Sequence, residues 1–295
     1  VAVSRARVLT GLGAGLVVLS FASILIRVTP APSIVIAAGR MVVAALVLTP
    51  FFWARCGERW AELRVVSAWP IVLSGLLLAA HFAFWIESLN RTSIASSVVL
   101  VAMNPIFVAA LSPLVLKEKV SWRIVLAVVL GLVGAAVIAG PSLKSPGTTA
   151  GNLLALAGAV CAGGYLMAGR RVRPRLSLVS YIYVIYAIAA VLLVVAVLAG
   201  GRGFANLAGR AWFFILLLGL GPQLLGHTSF NWALKYVSAP TVAMAVLGEP
   251  VGTTLLAWLI LRQPPTLFEA LGGVVICAGI YLAAADAQKT AEPVG

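Results

Sequence analysis

The chain has 295 residues, of which 62% are hydrophobic and only 10% charged, whereas an ordinary soluble domain carries about 25% charged residues. So little charge cannot cover a water-facing surface, which excludes a soluble globular protein. The net charge of +13 does not indicate nucleic acid as a partner, because Lys and Arg sit in short clusters between apolar stretches rather than along one polar face.

A hydrocarbon core about 30 Å thick requires about 20 apolar residues per crossing helix. Apolar runs bounded by Pro, Gly and charge predict ten such helices, over residues 6–26, 34–54, 68–90, 93–116, 121–139, 150–169, 176–199, 211–234, 238–261 and 266–285. The expected class is an all-α membrane protein with the lipid bilayer as its first partner. No signal-peptide cleavage pattern follows the first apolar stretch, which therefore reads as a span. The links are short and leave no room for a soluble domain. Positive residues are retained on the cytoplasmic side of a membrane. One set of alternate loops holds fourteen Lys and Arg, among them Arg55, Arg59, Lys117, Arg170 and Lys289. The other holds six, including Arg27, Arg91, Lys144 and Arg262, and Arg40 falls inside a span. Both termini are expected in the cytoplasm.

Polar groups inside a span cost about 2.5–3.5 kcal/mol on insertion scales when charged, so each needs a physical reason. Ser20 and Ser23 in the first span are weak candidates, since membrane Ser commonly bonds back to its own helix. Arg40 and Glu87 are both expected toward the outer ends of their spans, where they would form an ion pair that helps close that side; the alternative is that Arg40 snorkels to the headgroups. On the third span His81, Trp85 and Ser88 share a face. In the fourth, Asn104 precedes Pro105, and in the ninth Glu249 precedes Pro250. A proline removes a backbone donor and frees a carbonyl, so both pairs offer a helix break beside a polar side chain near the midplane. Tyr165 lies in a Gly-rich sixth span (Gly158, Gly163, Gly164, Gly169) as a candidate stacking platform. The eighth span carries Gln223, His227 and Asn231 at four-residue spacing, one polar stripe. For all of these the competing reading is helix-to-helix packing. Trp53, Trp60, Trp69, Trp122 and Trp212 fall near span ends, as in an aromatic belt. Cys56, Cys161 and Cys277 have no ligand or pairing spacing, so neither a metal nor another cofactor is expected.

Shifting the sequence by 145 positions superposes the third to fifth spans on the eighth to tenth without gaps: Ser93 falls on Ser238, Pro105 on Pro250, Lys117 on Arg262 and Gly134 on Gly279. Five spans per half is an odd number, so the second half would enter the bilayer from the opposite side, an inverted repeat of the transporter type. The halves are expected at 1–140 and 141–295, around a central cavity.

Ten spans, the Asn104-Pro105 and Glu249-Pro250 pairs and the Lys117-Glu118 ending together resemble the EamA-type drug/metabolite transporter superfamily, and within it the amino-acid or metabolite exporter branch that includes aromatic amino-acid exporters. The sequence departs from the family pattern at Gln263, where the second half often has Glu, and at Phe21, where the first helix often has Trp. The resemblance implies export of amino acids or similar small metabolites across a bacterial-type inner membrane by alternating access. On this reading His81, Trp85, Asn104, Tyr165, Gln223, His227, Asn231 and Glu249 bind a small-molecule substrate, with a proton as candidate coupling ion. Efflux of drugs or quaternary cations, with Glu249 as the cation site, is the alternative. An enzyme is not expected, since the two His residues have no nearby Asp and no metal set.

Overall fold

The computed structural model describes residues 3–140, 149–205, 207–262 and 264–290. Lys144 and Gln263 lie outside the described residues, as does the side chain of Lys289. Every regular element among the described residues is helical. Among the described residues nine helices are long and apolar enough to cross a membrane: Arg5–Val28, Ser33–Trp53, Ala68–Arg91, Ser96–Val115, Thr149–Arg175, Leu178–Ala199, Gly209–Ala233, Ala239–Ile260 and Leu267–Asp286. Between the fourth and fifth of these runs the shorter apolar helix Trp122–Ala139, which at 1.5 Å per residue still reaches about 27 Å. Taken in chain order with this helix fifth, they are called spans 1 to 10 below. A short helix, Cys56–Arg64, joins spans 2 and 3 and has no buried residue.

Serines begin many of the helices for a local reason. Ser4, Ser93, Ser121, Ser177 and Ser238 each accept a hydrogen bond from the backbone N–H three residues on, satisfying a donor that the helix itself leaves free. The outside of the bundle is apolar: Leu46, Val191, Leu198 and Leu259 are each more than half exposed, which is stable only against lipid.

Spans 4 and 9 are each two helices. Span 4 consists of Ile94–Val101 and Asn104–Val115, and span 9 of Ala239–Val246 and Glu249–Leu261. The breaks precede Pro105 and Pro250, which therefore sit in the first turn of the second helix, where a missing N–H costs nothing. Three of the four boundaries are offset by 145 residues and the last by 146. The two non-glycine residues with positive φ among those described, Lys117 (58°) and Arg262 (55°), share the same offset. Span 1 is also interrupted, between Leu19 and Ala22, and span 8 contains a π-helical stretch, Gly219–His227.

The neighbours follow one pattern. Span 3 packs on span 6 as span 8 packs on span 1, while 2 pairs with 7, 4 with 9 and 5 with 10. Exchanging each span for the one five places away leaves this set of pairs unchanged. Spans 5 and 10 meet backbone to backbone: a Cβ at Gly134 would lie 2.5 Å from the Gly272 carbonyl oxygen, and one at Gly272 the same distance from the Gly134 oxygen.

Candidate functional site

Spans 1, 3, 4, 6, 8 and 9 surround a narrow, partly open cavity with about 30 Å³ of free space. Its wall contains six of the residues singled out in the sequence: His81, Trp85, Asn104, Tyr165, His227 and Glu249. The rest of the lining is apolar (Leu19, Val101, Ala102, Ala162, Leu166, Phe230 and Val246). No pattern in the sequence marked these seven, because apolar residues facing a cavity and facing a neighbouring helix look alike.

The helix breaks set the two acceptors in place. Asn104 and Glu249 are the first residues of the second helices of spans 4 and 9, and these two spans pack together. Asn104 is buried and its Nδ2 donates weakly to the Val101 carbonyl (3.5 Å), which leaves Oδ1 without a partner. Glu249 accepts one hydrogen bond, from Ser23 Oγ at 3.3 Å. Thr253, one turn on, donates to the Ser20 carbonyl at 3.1 Å. The interrupted first span is thus tied to the half-helix that carries Glu249, and Ser20 and Ser23 support this side of the site. Ser20 Oγ also bonds back to the Leu16 carbonyl (2.8 Å).

The opposite wall is aromatic. His81 Nδ1 lies 2.9 Å from the Gly158 carbonyl, a geometry that places the proton on Nδ1 and leaves Nε2 as an acceptor. Its ring stacks on Trp85 at 5.7 Å and meets the His227 ring at 6.4 Å. Trp85 Nε1 and His227 Nε2 have no hydrogen-bond partner. The Tyr165 hydroxyl donates to Asn231 Oδ1 at 2.6 Å, so its ring rather than its oxygen is available to a ligand. Asn231 also donates to the His227 carbonyl (2.9 Å) and the Tyr186 hydroxyl (3.4 Å). It therefore backs the wall without lining it. Gln223 does not line the cavity: it is fully buried, neither side-chain amide atom has a partner, and its carbonyl accepts from Tyr186.

The expected ion pair between Arg40 and Glu87 does not form. Glu87 bonds instead to Arg91 at 2.7 Å, an i,i+4 partner on its own helix that is reached at little entropic cost. Arg40 is fully buried, none of its three guanidinium nitrogens has a hydrogen-bond partner, and its charge rests 4.1 Å over the Phe82 ring. It neither snorkels nor closes the outer side.

One end of the bundle is held by charged contacts across the 1–140 and 141–295 parts. The Glu118 carboxylate accepts from Arg170 Nε at 2.6 Å and from the Ala239 backbone N–H at 3.2 Å. Arg170 also donates to the Leu234 carbonyl (2.6 Å). Glu62, in the link between spans 2 and 3, accepts from Ser180 Oγ at 2.6 Å and Ser177 N–H at 3.1 Å. Both carboxylates thereby sit at helix N-termini, where the helix dipole favours them. Partial burial pushes the Glu62 carboxyl up, but the Ser180 and Ser177 bonds and the Arg59 charge outweigh it and hold it below the ordinary carboxylate range. At the other end, Thr92 Oγ1 donates to Asn152 Oδ1 at 2.9 Å across the same division, a neutral contact.

The sequence pattern of the EamA-like transporter family matches this chain twice, over residues 7–140 and 149–285. Among similar proteins are the uncharacterized transporter YyaM of Bacillus subtilis, 24% identical over 84% of this chain and 83% of that one, and a probable terminal-alkyne amino-acid exporter of Streptantibioticus cattleyicolor, 28% identical over 62% of this chain and 61% of that one. One crystal structure superposes with a TM-score of 0.80 at 21% identity, covering 97% of this chain and 100% of that one, which establishes the shared fold. A family match over nearly the whole length, on a bundle of membrane-crossing helices, identifies a multi-pass membrane transporter rather than an enzyme, and the chain belongs to the EamA-like transporter family.

Proposed function

We propose that the protein exports amino acids or similar small metabolites across a bacterial inner membrane by alternating access between two halves, 1–140 and 141–295, inserted in opposite orientations. The observation that carries this reading is the cavity. It lies where the breaks of spans 4 and 9 meet, and it presents Asn104 and Glu249 to an aromatic wall of His81, Trp85, Tyr165 and His227. Discontinuous helices that cross at a substrate cavity are the usual architecture of a carrier built from inverted repeats. The shared offset of the helix boundaries, and the pairing of spans that survives their exchange, support the two-half mechanism. The amino-acid exporter among the relatives supports the substrate class.

The end closed by Glu62, Glu118 and Arg170 also carries most of the basic loop residues. We assign it to the cytoplasm, together with both termini. The state described here is then shut on the cytoplasmic side. Glu249, buried and among the described residues bonded only through Ser23, is the group best placed to exchange a coupling proton or to bind a substrate ammonium.

The test is counterflow in proteoliposomes of the purified chain. Exchange of amino acids such as Thr, Met or Phe is the expected result. Exchange of cationic dyes alone would replace this reading with drug or quaternary-cation efflux.

A further inference from the structure

We propose that the cavity is a zwitterion site in which Arg40 acts as the specificity-determining charge for the anionic end of the substrate, opposite Glu249, which receives the cationic end. The inference rests on the transport reading above and deepens it.

Arg40 is the unexplained group of this core. A fully buried guanidinium with no hydrogen-bond partner on any nitrogen is strongly unfavourable unless something compensates its charge. The Phe82 ring at 4.1 Å supplies one cation–π contact, and Phe82 in turn meets the His227 ring at 5.2 Å. Arg40 thus stands directly behind the aromatic wall. The opposite charge within its electrostatic reach is Glu249, yet no ion pair joins the two among the described residues. Two opposite charges are therefore held apart in one low-dielectric core, with the cavity on the side of Glu249.

The unpartnered groups on the walls follow the same polarity. On the Arg40 side, Trp85 Nε1 is an unused donor, and His227 Nε2 also has no partner. On the other side, Asn104 Oδ1 is an unused acceptor beside Glu249. Trp85 Nε1 can donate to a carboxylate with the Arg40 charge behind the wall, and an ammonium can donate to Glu249 and Asn104 Oδ1. A ligand carrying only a positive charge leaves Arg40 uncompensated, and one carrying only a negative charge leaves Glu249 so. A zwitterion compensates both without bringing net charge into the membrane. Arg40 acts through the wall, as a positioning charge rather than a contact.

The experiment compares, in proteoliposomes of the full chain, counterflow of each proteinogenic amino acid with that of its decarboxylated amine and its deaminated acid. The wild type should prefer the amino acid to both analogues by at least about tenfold, since a site built for a charged group rejects the analogue lacking it strongly. Arg40→Gln should lose the preference over the amine and keep the preference over the acid, Glu249→Gln the reverse, and Arg40→Lys should restore the first. A structural role for Arg40 would lower all rates together and leave the ratios alone. Trp85→Phe, which removes the unused donor together with one ring of the indole, should weaken the same preference and serves if Arg40→Gln does not fold. Unchanged ratios in folded Arg40→Gln or in Trp85→Phe overturn the inference, as does a wild type that moves the amine or acid as fast as the amino acid. A wild type that exchanges only sugars or other uncharged solutes sinks this inference but not transport. Exchange of no solute of any charge class sinks both.

Discussion

Replacing Glu118 by Gln tests whether the charged contacts at one end of the bundle act as a gate. The substitution keeps the shape of the side chain but removes the charge that receives Arg170 at 2.6 Å and the Ala239 N–H at 3.2 Å. The side chains of Glu118 and Arg170 are 17% and 23% exposed, so solvent screens the pair only in part. Hydrogen bonds to a charged group contribute about 1.5–3 kcal/mol. If that energy favours the closed state alone, its loss shifts the equilibrium toward the open state by roughly 10- to 150-fold. A cysteine placed at Ala102 on the cavity wall, with Cys56, Cys161 and Cys277 replaced, reports the shift. Its labelling by a membrane-impermeant thiol reagent, added from the side of Glu118, should accelerate by that factor. Glu58→Gln is the control, because its contact with Arg55 is 3.9 Å long and highly exposed and such pairs contribute little. Equal labelling in Glu118→Gln and wild type, or equal acceleration in the control, refutes the gate.

Glu249→Gln should slow amino-acid exchange without abolishing it while the protein stays monodisperse; exchange unchanged at every pH removes Glu249 from the mechanism. Gly134→Ala should destabilise the bundle by about 1–3 kcal/mol, because the new Cβ meets the Gly272 backbone oxygen, which no side-chain rotation can move. Gly13→Ala, with nothing within 4 Å of the added carbon, should be neutral, and thermal unfolding in detergent separates the two. For Glu62 the carboxyl is held below its ordinary value of 4.5 in the folded state. Its stabilising contribution is therefore complete above that value and disappears as pH falls below it. The stability gap between wild type and Glu62→Gln should be present at pH 7 and vanish in acid; a gap that persists at low pH contradicts the assignment.

The spans were legible because hydropathy and loop charge agree, each from a different physical source. The 145-residue offset was also legible, and it marked positions that matter: residues 101–104 and 246–249, where spans 4 and 9 break, and Lys117 and Arg262, which adopt left-handed backbone. The break in span 1 carried no such signal, since neither Ser20 nor Phe21 demands an interruption. The π-helical turn was equally hidden. Pro222 lies inside it, but a proline alone does not distinguish a kink from a widened turn.

Arg40 was misplaced for a more instructive reason. Counting along each helix sets Arg40 seven residues beyond the start of span 2 at Ser33 and Glu87 four before the end of span 3 at Arg91. At 1.5 Å per residue these depths differ by only about 4–5 Å, close enough to suggest a pair. Counting along an axis does not say which way a side chain faces, and it ignores the nearer competitor. Arg91 meets Glu87 within a single helix, leaving Arg40 to turn inward between spans 2 and 3, onto the face of Phe82. A charge that loses its surface partner in this way is free to serve the interior, and the same interior holds Glu249, an acid with one weak hydrogen bond. The two were assigned unrelated tasks when read from the sequence, one at the rim and one at the midplane. Burial in one core withdraws both charges from water, and on the proposal above a substrate that carries both signs of charge is the simplest ligand that compensates each.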